Sequence, residues 1–110
     1  MKSIFMALFG FTIGVQGVDY VREVKPIFRD HCLRCHGPLK AKAKLRLDTL
    51  TFALKGGKDG PALLAGNLEE SLLLQKVTAE KEGERMPPEG KPLSEKQIET
   101  LKNWISTGAK

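Results

Sequence analysis

The sequence predicts an all-α domain of three to five short helices, on three observations. Apolar residues recur at helical spacing in several separate segments. Two of those segments open with capping-box patterns, and the stretches between them are rich in Gly and Pro. No run alternates apolar and polar residues in the way a half-buried strand does.

The elements follow in chain order. Residues 3–17 carry no charge, include Ile4, Phe5, Leu8, Phe9, Phe11 and Ile13, and follow Lys2. A positive start, a short apolar run and small residues Gly14 and Gly17 have the layout of a secretory signal peptide. The run is short for a bilayer span, which takes about 20 residues. Residues 1–17 are therefore expected to be a signal peptide, with a retained membrane anchor or a buried helix as the alternatives. Residues 18–110 form one domain, and the localisation expected is export to the periplasm.

Tyr20, Val21, Val24, Ile27 and Phe28 predict a first helix over 19–30, capped by Asp19 and strained by Pro26. Gly37-Pro38 breaks the chain. Asp48 is the expected cap of a short helix ending at Gly56-Gly57. Residues 56–61 are a loop. Asn67 with Glu70 is expected to open a helix carrying Leu68, Leu72, Leu73 and Val77. Residues 80–92 are a charged loop. Ser94 with Gln97 opens a last helix with Ile98, Leu101, Trp104 and Ile105 on one face, stopped near Gly108.

The core of 18–110 is thin, since Tyr20, Phe28, Phe52 and Trp104 are its only aromatics. Domains this small often rely on a metal, a disulfide or another staple. Cys32-Leu33-Arg34-Cys35-His36 supplies one candidate. Two thiols three positions apart, followed at once by His, form the pattern for covalent haem attachment. Each thiol can form a thioether with a vinyl group, and the histidine then stands under the iron. Other readings of this motif are weaker. A thioredoxin-type CxxC expects a βαβ context. A structural zinc site wants four spread ligands, whereas His31, Cys32, Cys35 and His36 are crowded together. A plain disulfide suits an exported chain.

Met86 is the only methionine in 18–110, and it sits in the stiff Arg85-Met86-Pro87-Pro88 segment. A thioether there suits a second axial ligand, with an ordinary packing methionine as the alternative. His31 is the rival ligand, but it adjoins Cys32 on the proximal side. Trp104 reads as packing. Arg85 is a candidate partner for a haem propionate or a plain solvated arginine.

Charge is uneven. The net charge is +5, and from Arg22 to Arg46 eight Lys/Arg face only Glu23 and Asp30. The excess surrounds the cysteine motif. It reads either as a solvated face or, around Lys40, Lys42 and Lys44, as a docking surface for an acidic redox partner. Nucleic acid is not an expected partner, because no binding motif for it is present. Membrane contact is expected only if the N-terminal segment is kept.

With these motifs in place, the chain resembles the planctomycete-type cytochrome c domain, a branch of the class I cytochrome c superfamily. The resemblance runs through VKPIFRDHCLRCHG, KAKLRLDTLTFALKGG, GPALLAGNLEESLLLQKV, RMPPEGKPLSEKQIETLKNWI and the closing TGA, nearly all of 19–109 in order. It implies a class I cytochrome c-like helical fold around one covalent haem c, with His36 proximal and Met86 distal. By the same likeness, Gly60-Pro61 implies that the Pro61 carbonyl accepts the His36 N–H and orients the ring. The function this implies is that of a one-electron carrier and not an enzyme. The alternatives are a haem-based sensor or ligand-binding module, and an electron-transfer subunit of a larger oxidoreductase complex.

Overall fold

The computed structural model describes residues 17–81 and 83–110, and the expected signal segment 1–17 lies outside them except for Gly17. Among these residues there are four α-helices: α1 (Lys25–His31), α2 (Leu50–Lys55), α3 (Leu72–Thr78) and α4 (Glu95–Ser106). A π-helical turn, Tyr20–Val24, leads into α1, and a 3-10 turn spans Lys42–Lys44. Among the described residues there is no strand, only isolated bridges such as His36 with Ala41. The all-α expectation holds. No helix of the described residues is long and apolar enough to cross a membrane.

The first helix divides where Pro26 requires it to. Asp19 caps the start, its carboxylate accepting from Val21 N–H at 3.0 Å and Arg22 N–H at 3.3 Å. Pro26 has no N–H to donate one turn back. The winding is π-helical up to Val24, and Pro26 falls in the first turn of α1, where that donor is not needed.

Two helix starts differ from expectation. Thr49, and not Asp48, caps α2, its hydroxyl accepting from Phe52 N–H at 3.2 Å. Asp48 is instead engaged by Arg46, with Arg46 Nη2 2.8 Å from its carboxylate. Asn67 caps only a single turn, accepting from Glu70 N–H at 3.0 Å. The helix itself begins at Leu72, because Ser71 turns inward. Ser71 is fully buried; its hydroxyl donates to the Asn67 carbonyl at 2.7 Å and accepts from Leu64 N–H at 3.0 Å. The Ser94–Gln97 capping box is present in full, with both reciprocal bonds.

The core lies between α4 and the N-terminal turn and α1, with α3 closing the side. Trp104 is fully buried there. Its ring meets Phe28 edge-on at 6.0 Å and Tyr20 at 5.7 Å. Its indole N–H donates to the Lys110 carbonyl at 3.1 Å, so the indole's own polar atom is satisfied on burial. Trp104 is thus a packing residue, as its place on the apolar face of α4 implies.

Candidate functional site

The cysteine motif is built on the end of α1. Cys32 N–H donates to the Phe28 carbonyl at 2.8 Å, and His36 N–H to the Cys32 carbonyl at 2.9 Å. The chain therefore keeps turning helically past the end of α1, which puts Cys32 and His36 on one side. Gly37 ends the turn for a steric reason: a Cβ there would lie 2.4 Å from the Leu33 carbonyl oxygen. The chain then reverses and returns beside the motif. Lys42 N–H donates to the Cys35 carbonyl at 2.8 Å, and Leu47 N–H to the His36 carbonyl at 2.7 Å.

His36 Nδ1 lies 3.3 Å from the Leu45 carbonyl oxygen. A carbonyl only accepts, so this bond puts the proton on Nδ1 and leaves the Nε2 lone pair free for a metal. The acceptor expected here was Pro61. That expectation is corrected: the 45–47 segment runs alongside His36 and brings Leu45 to it. Pro61 is exposed and lines neither of the two clefts described below.

Cys32, His36 and Met86 line one cleft of about 130 Å³, whose walls are largely apolar: Leu45, Leu47, Ala62, Leu72, Leu73 and Val77. Asp59 and Lys76 are its charged members. Met86 arrives from the loop before α4. Its N–H donates to the Lys76 carbonyl at 2.9 Å, which fastens the loop to the last turn of α3. Cys35 opens instead onto a neighbouring cleft of about 640 Å³, lined also by His31, Pro87 and Pro88. The two thiols thus straddle the seam between the clefts, and a group joined to both draws on both spaces. His31, on the other cleft, is not brought to Met86.

Both cysteines are free thiols, not a disulfide. The Cys32 thiol is pushed up to about 12, by burial first and by the neighbouring Cys35 second. Burial therefore favours the protonated thiol in the metal-free chain. Among the described residues no three His, Cys, Asp or Glu side chains converge as a metal cluster, so the zinc reading gains nothing.

The donor set fits a covalently held haem. Two thiols stand for the thioethers, an imidazole with Nε2 free and a methionine sulfur for the axial positions, and aliphatic side chains for the walls. An orphaned polar atom agrees. Arg85 Nε is buried with no hydrogen-bond partner among the described residues, and such a donor calls for an acceptor from a bound group. The Leu45 carbonyl and the two-cleft arrangement were not foreseen. A backbone acceptor leaves no mark on residue type, and the clefts depend on loop paths.

The family model for planctomycete cytochrome C matches residues 32–90, a stretch that starts at Cys32 and takes in His36 and Met86. No curated protein and no solved structure matches the chain. The matched stretch is more than half of the sequence, and the chain belongs to the planctomycete cytochrome C family, which gives it a haem-binding, electron-transfer role.

Proposed function

We propose that the protein is an exported monohaem c-type cytochrome that works as a one-electron carrier. One haem c is joined through Cys32 and Cys35, with His36 and Met86 as axial ligands. The observation that carries this is the convergence of Cys32, His36 and Met86 on one apolar cleft. The bound haem supplies the Fe(II)/Fe(III) couple. The chain's own residues orient the imidazole through Leu45, hold the Met86 loop through Lys76 and keep water from the apolar walls. Methionine opposite histidine raises the potential of such a centre. The Arg85 guanidinium would pair with a propionate, a reading supported by its buried Nε having no partner among the described residues.

The remaining parts of the reading concern its setting. Residues 1–17 direct export to the periplasm, and the protein stays on the membrane only if they are retained. Its partners are redox proteins with an acidic face, not nucleic acid. It passes electrons and is not itself an enzyme.

The test is intact mass and a visible spectrum after expression with haem-maturation machinery. The expected product is red and heavier than the polypeptide by about 616 Da, the mass of one haem added through two thioethers. A colourless protein with the mass of its amino acids alone overturns the proposal. Carbon monoxide separates the carrier from a sensor: a reduced protein with Met86 in place resists it, and ready binding favours the sensor.

A further inference from the structure

Two residues of the reversal that reaches His36 hold a backbone their side chains disfavour. Ala43 and Lys44 stand at φ 57° and 58°, in the left-handed region, and neither is glycine. Such residues carry strain and persist where their surroundings over-determine them. Inside the reversal, Lys44 N–H donates to the Ala41 carbonyl at 2.9 Å and Leu45 N–H to the Lys42 carbonyl at 3.1 Å. A further bond comes from a distant segment: Lys58 N–H donates to the Ala43 carbonyl at 2.8 Å.

That segment is a glycine turn, and its shape suits the contact. It closes on itself through Gly57 N–H to the Gly60 carbonyl at 3.1 Å and Gly60 N–H to the Gly57 carbonyl at 3.0 Å. Gly57 has no positive φ, so its backbone angle does not call for glycine. The space around it does. A Cβ there would lie 2.4 Å from the Ala43 carbonyl oxygen and 3.0 Å from both the N and the Cβ of Leu45. The missing side chain lets two backbones meet. One of them carries Leu45, whose carbonyl lies 3.3 Å from His36 Nδ1. Ala43, Leu45 and Asp59 all line the cleft of Cys32, His36 and Met86, so the turn and the reversal together make one of its walls.

We propose that the 56–60 turn is a brace on the histidine. Gly57 is a positioning residue: through the strained 43–45 backbone it keeps the Leu45 carbonyl on His36 Nδ1. The proposal rests on the reading of His36 as an axial ligand. A carbonyl on Nδ1 makes the imidazole a more basic ligand. A more basic ligand favours the ferric state, so the brace holds the potential down, against the raising effect of a methionine.

The experiment uses isotope-labelled, haem-loaded, reduced protein, followed by NMR, with the potential measured in parallel. Gly57→Ala drives a methyl into the Ala43 carbonyl. The His36 Nδ1–H signal is expected to shift, its exchange with solvent to quicken about tenfold, as for one hydrogen bond lost, and the potential to rise. Gly66→Ala controls for stability alone. Gly66 has a φ of +80°, nothing among the described residues within 4 Å of its absent Cβ, and no place in either cleft. That variant should lower the unfolding midpoint and leave the His36 signal and the potential as they were. In the unaltered protein, Lys58 N–H and His36 Nδ1–H should respond alike to added denaturant, because one opening exposes both.

A red Gly57→Ala protein with the native His36 signal and potential overturns the brace. So does an equal change in Gly66→Ala, which reduces the effect to lost stability. If Gly57→Ala takes up no haem, exchange in the unaltered protein decides: matched responses uphold the brace, and a Lys58 amide that opens while Nδ1–H stays protected overturns it. The carrier reading fails separately. A colourless unaltered protein sinks that reading and the brace with it, whereas a red protein whose His36 ignores Gly57 sinks the brace alone.

Discussion

Among the described residues His36 is fixed at three points, whereas Met86 is fixed by a single backbone bond. The histidine's N–H, carbonyl and ring reach Cys32, Leu47 and Leu45. Met86 has only its N–H on the Lys76 carbonyl, in a loop whose neighbours Glu84, Pro88 and Glu89 are exposed. The proximal side is also continuous with the buried core, since α1 carries both Phe28 and the approach to Cys32. The distal side joins the core only through α3 and the start of α4. Local stability follows buried contacts and protected hydrogen bonds. The difference teaches that the fold and His36, the proposed proximal ligand, are one structure, while Met86, the proposed distal ligand, is an attachment to it.

The largest effect that tests this division is expected from Trp104→Ala. Trp104 is fully buried and joins Tyr20 and Phe28 across the helix interface. Truncating such a ring costs about 3–5 kcal/mol from lost transfer energy and the cavity left behind. On a domain whose total stability is about 5–15 kcal/mol, this is a large share. Denaturant unfolding of the haem-loaded protein should show the loss, and haem incorporation should fall with it because the proximal turn hangs on α1. A change below about 1 kcal/mol would mean that the haem side does not depend on this core.

Met86→Ala should do the opposite. Met86 is half-buried, so its truncation removes packing worth on the order of 1 kcal/mol. The protein should stay red and fold cooperatively. The weak band at the red end of the ferric spectrum should vanish, the potential should drop, and the reduced form should bind carbon monoxide. If the variant instead fails to take up haem, the distal loop is as much part of the scaffold as the proximal turn, and the division is wrong.

How much of this was legible in the sequence differs between the same two sides. The Ser94–Gln97 box, the apolar face of α4 and the Cys32–His36 spacing act over one or two helical turns. Side-chain type and spacing fix such features directly. The Asp48 cap failed because the charge was claimed by Arg46 two residues away, leaving the cap to Thr49. The helix expected from Asn67 starts late because Ser71 spends its hydroxyl on the loop rather than continuing a turn. The Pro61 carbonyl lost to that of Leu45 because backbone acceptors are chosen by chain path, which the 41–47 reversal determines. That reversal places Ala43 and Lys44 at positive φ, 57° and 58°, without glycine, a local cost that residue type alone does not announce.

The smallest effect concerns the segment that reaches His36. Arg46 forms a two-point pair with Asp48, through Nε at 2.9 Å and Nη2 at 2.8 Å, and its guanidinium lies 4.0 Å over the Phe52 ring. The hydrogen bonds from Arg46 are the main reason the Asp48 carboxyl sits below its usual value. A depressed carboxyl favours the fold while it is ionised. That contribution is complete above the ordinary aspartate value of about 3.9 and is lost as pH falls through the lower value of the folded state. Asp48→Asn should therefore lower stability slightly at neutral pH and flatten its decline in acid, measured by denaturant midpoints across the acid range. Because Arg46 lies between Leu45 and Leu47, the two residues that hold His36, the Met86 band should go before the proximal haem signature as pH falls, and the lag between the two should be shorter in Asp48→Asn. If the lag is the same in both proteins, the pair stabilises the fold without guarding the histidine, and the proximal advantage rests on the backbone bonds alone.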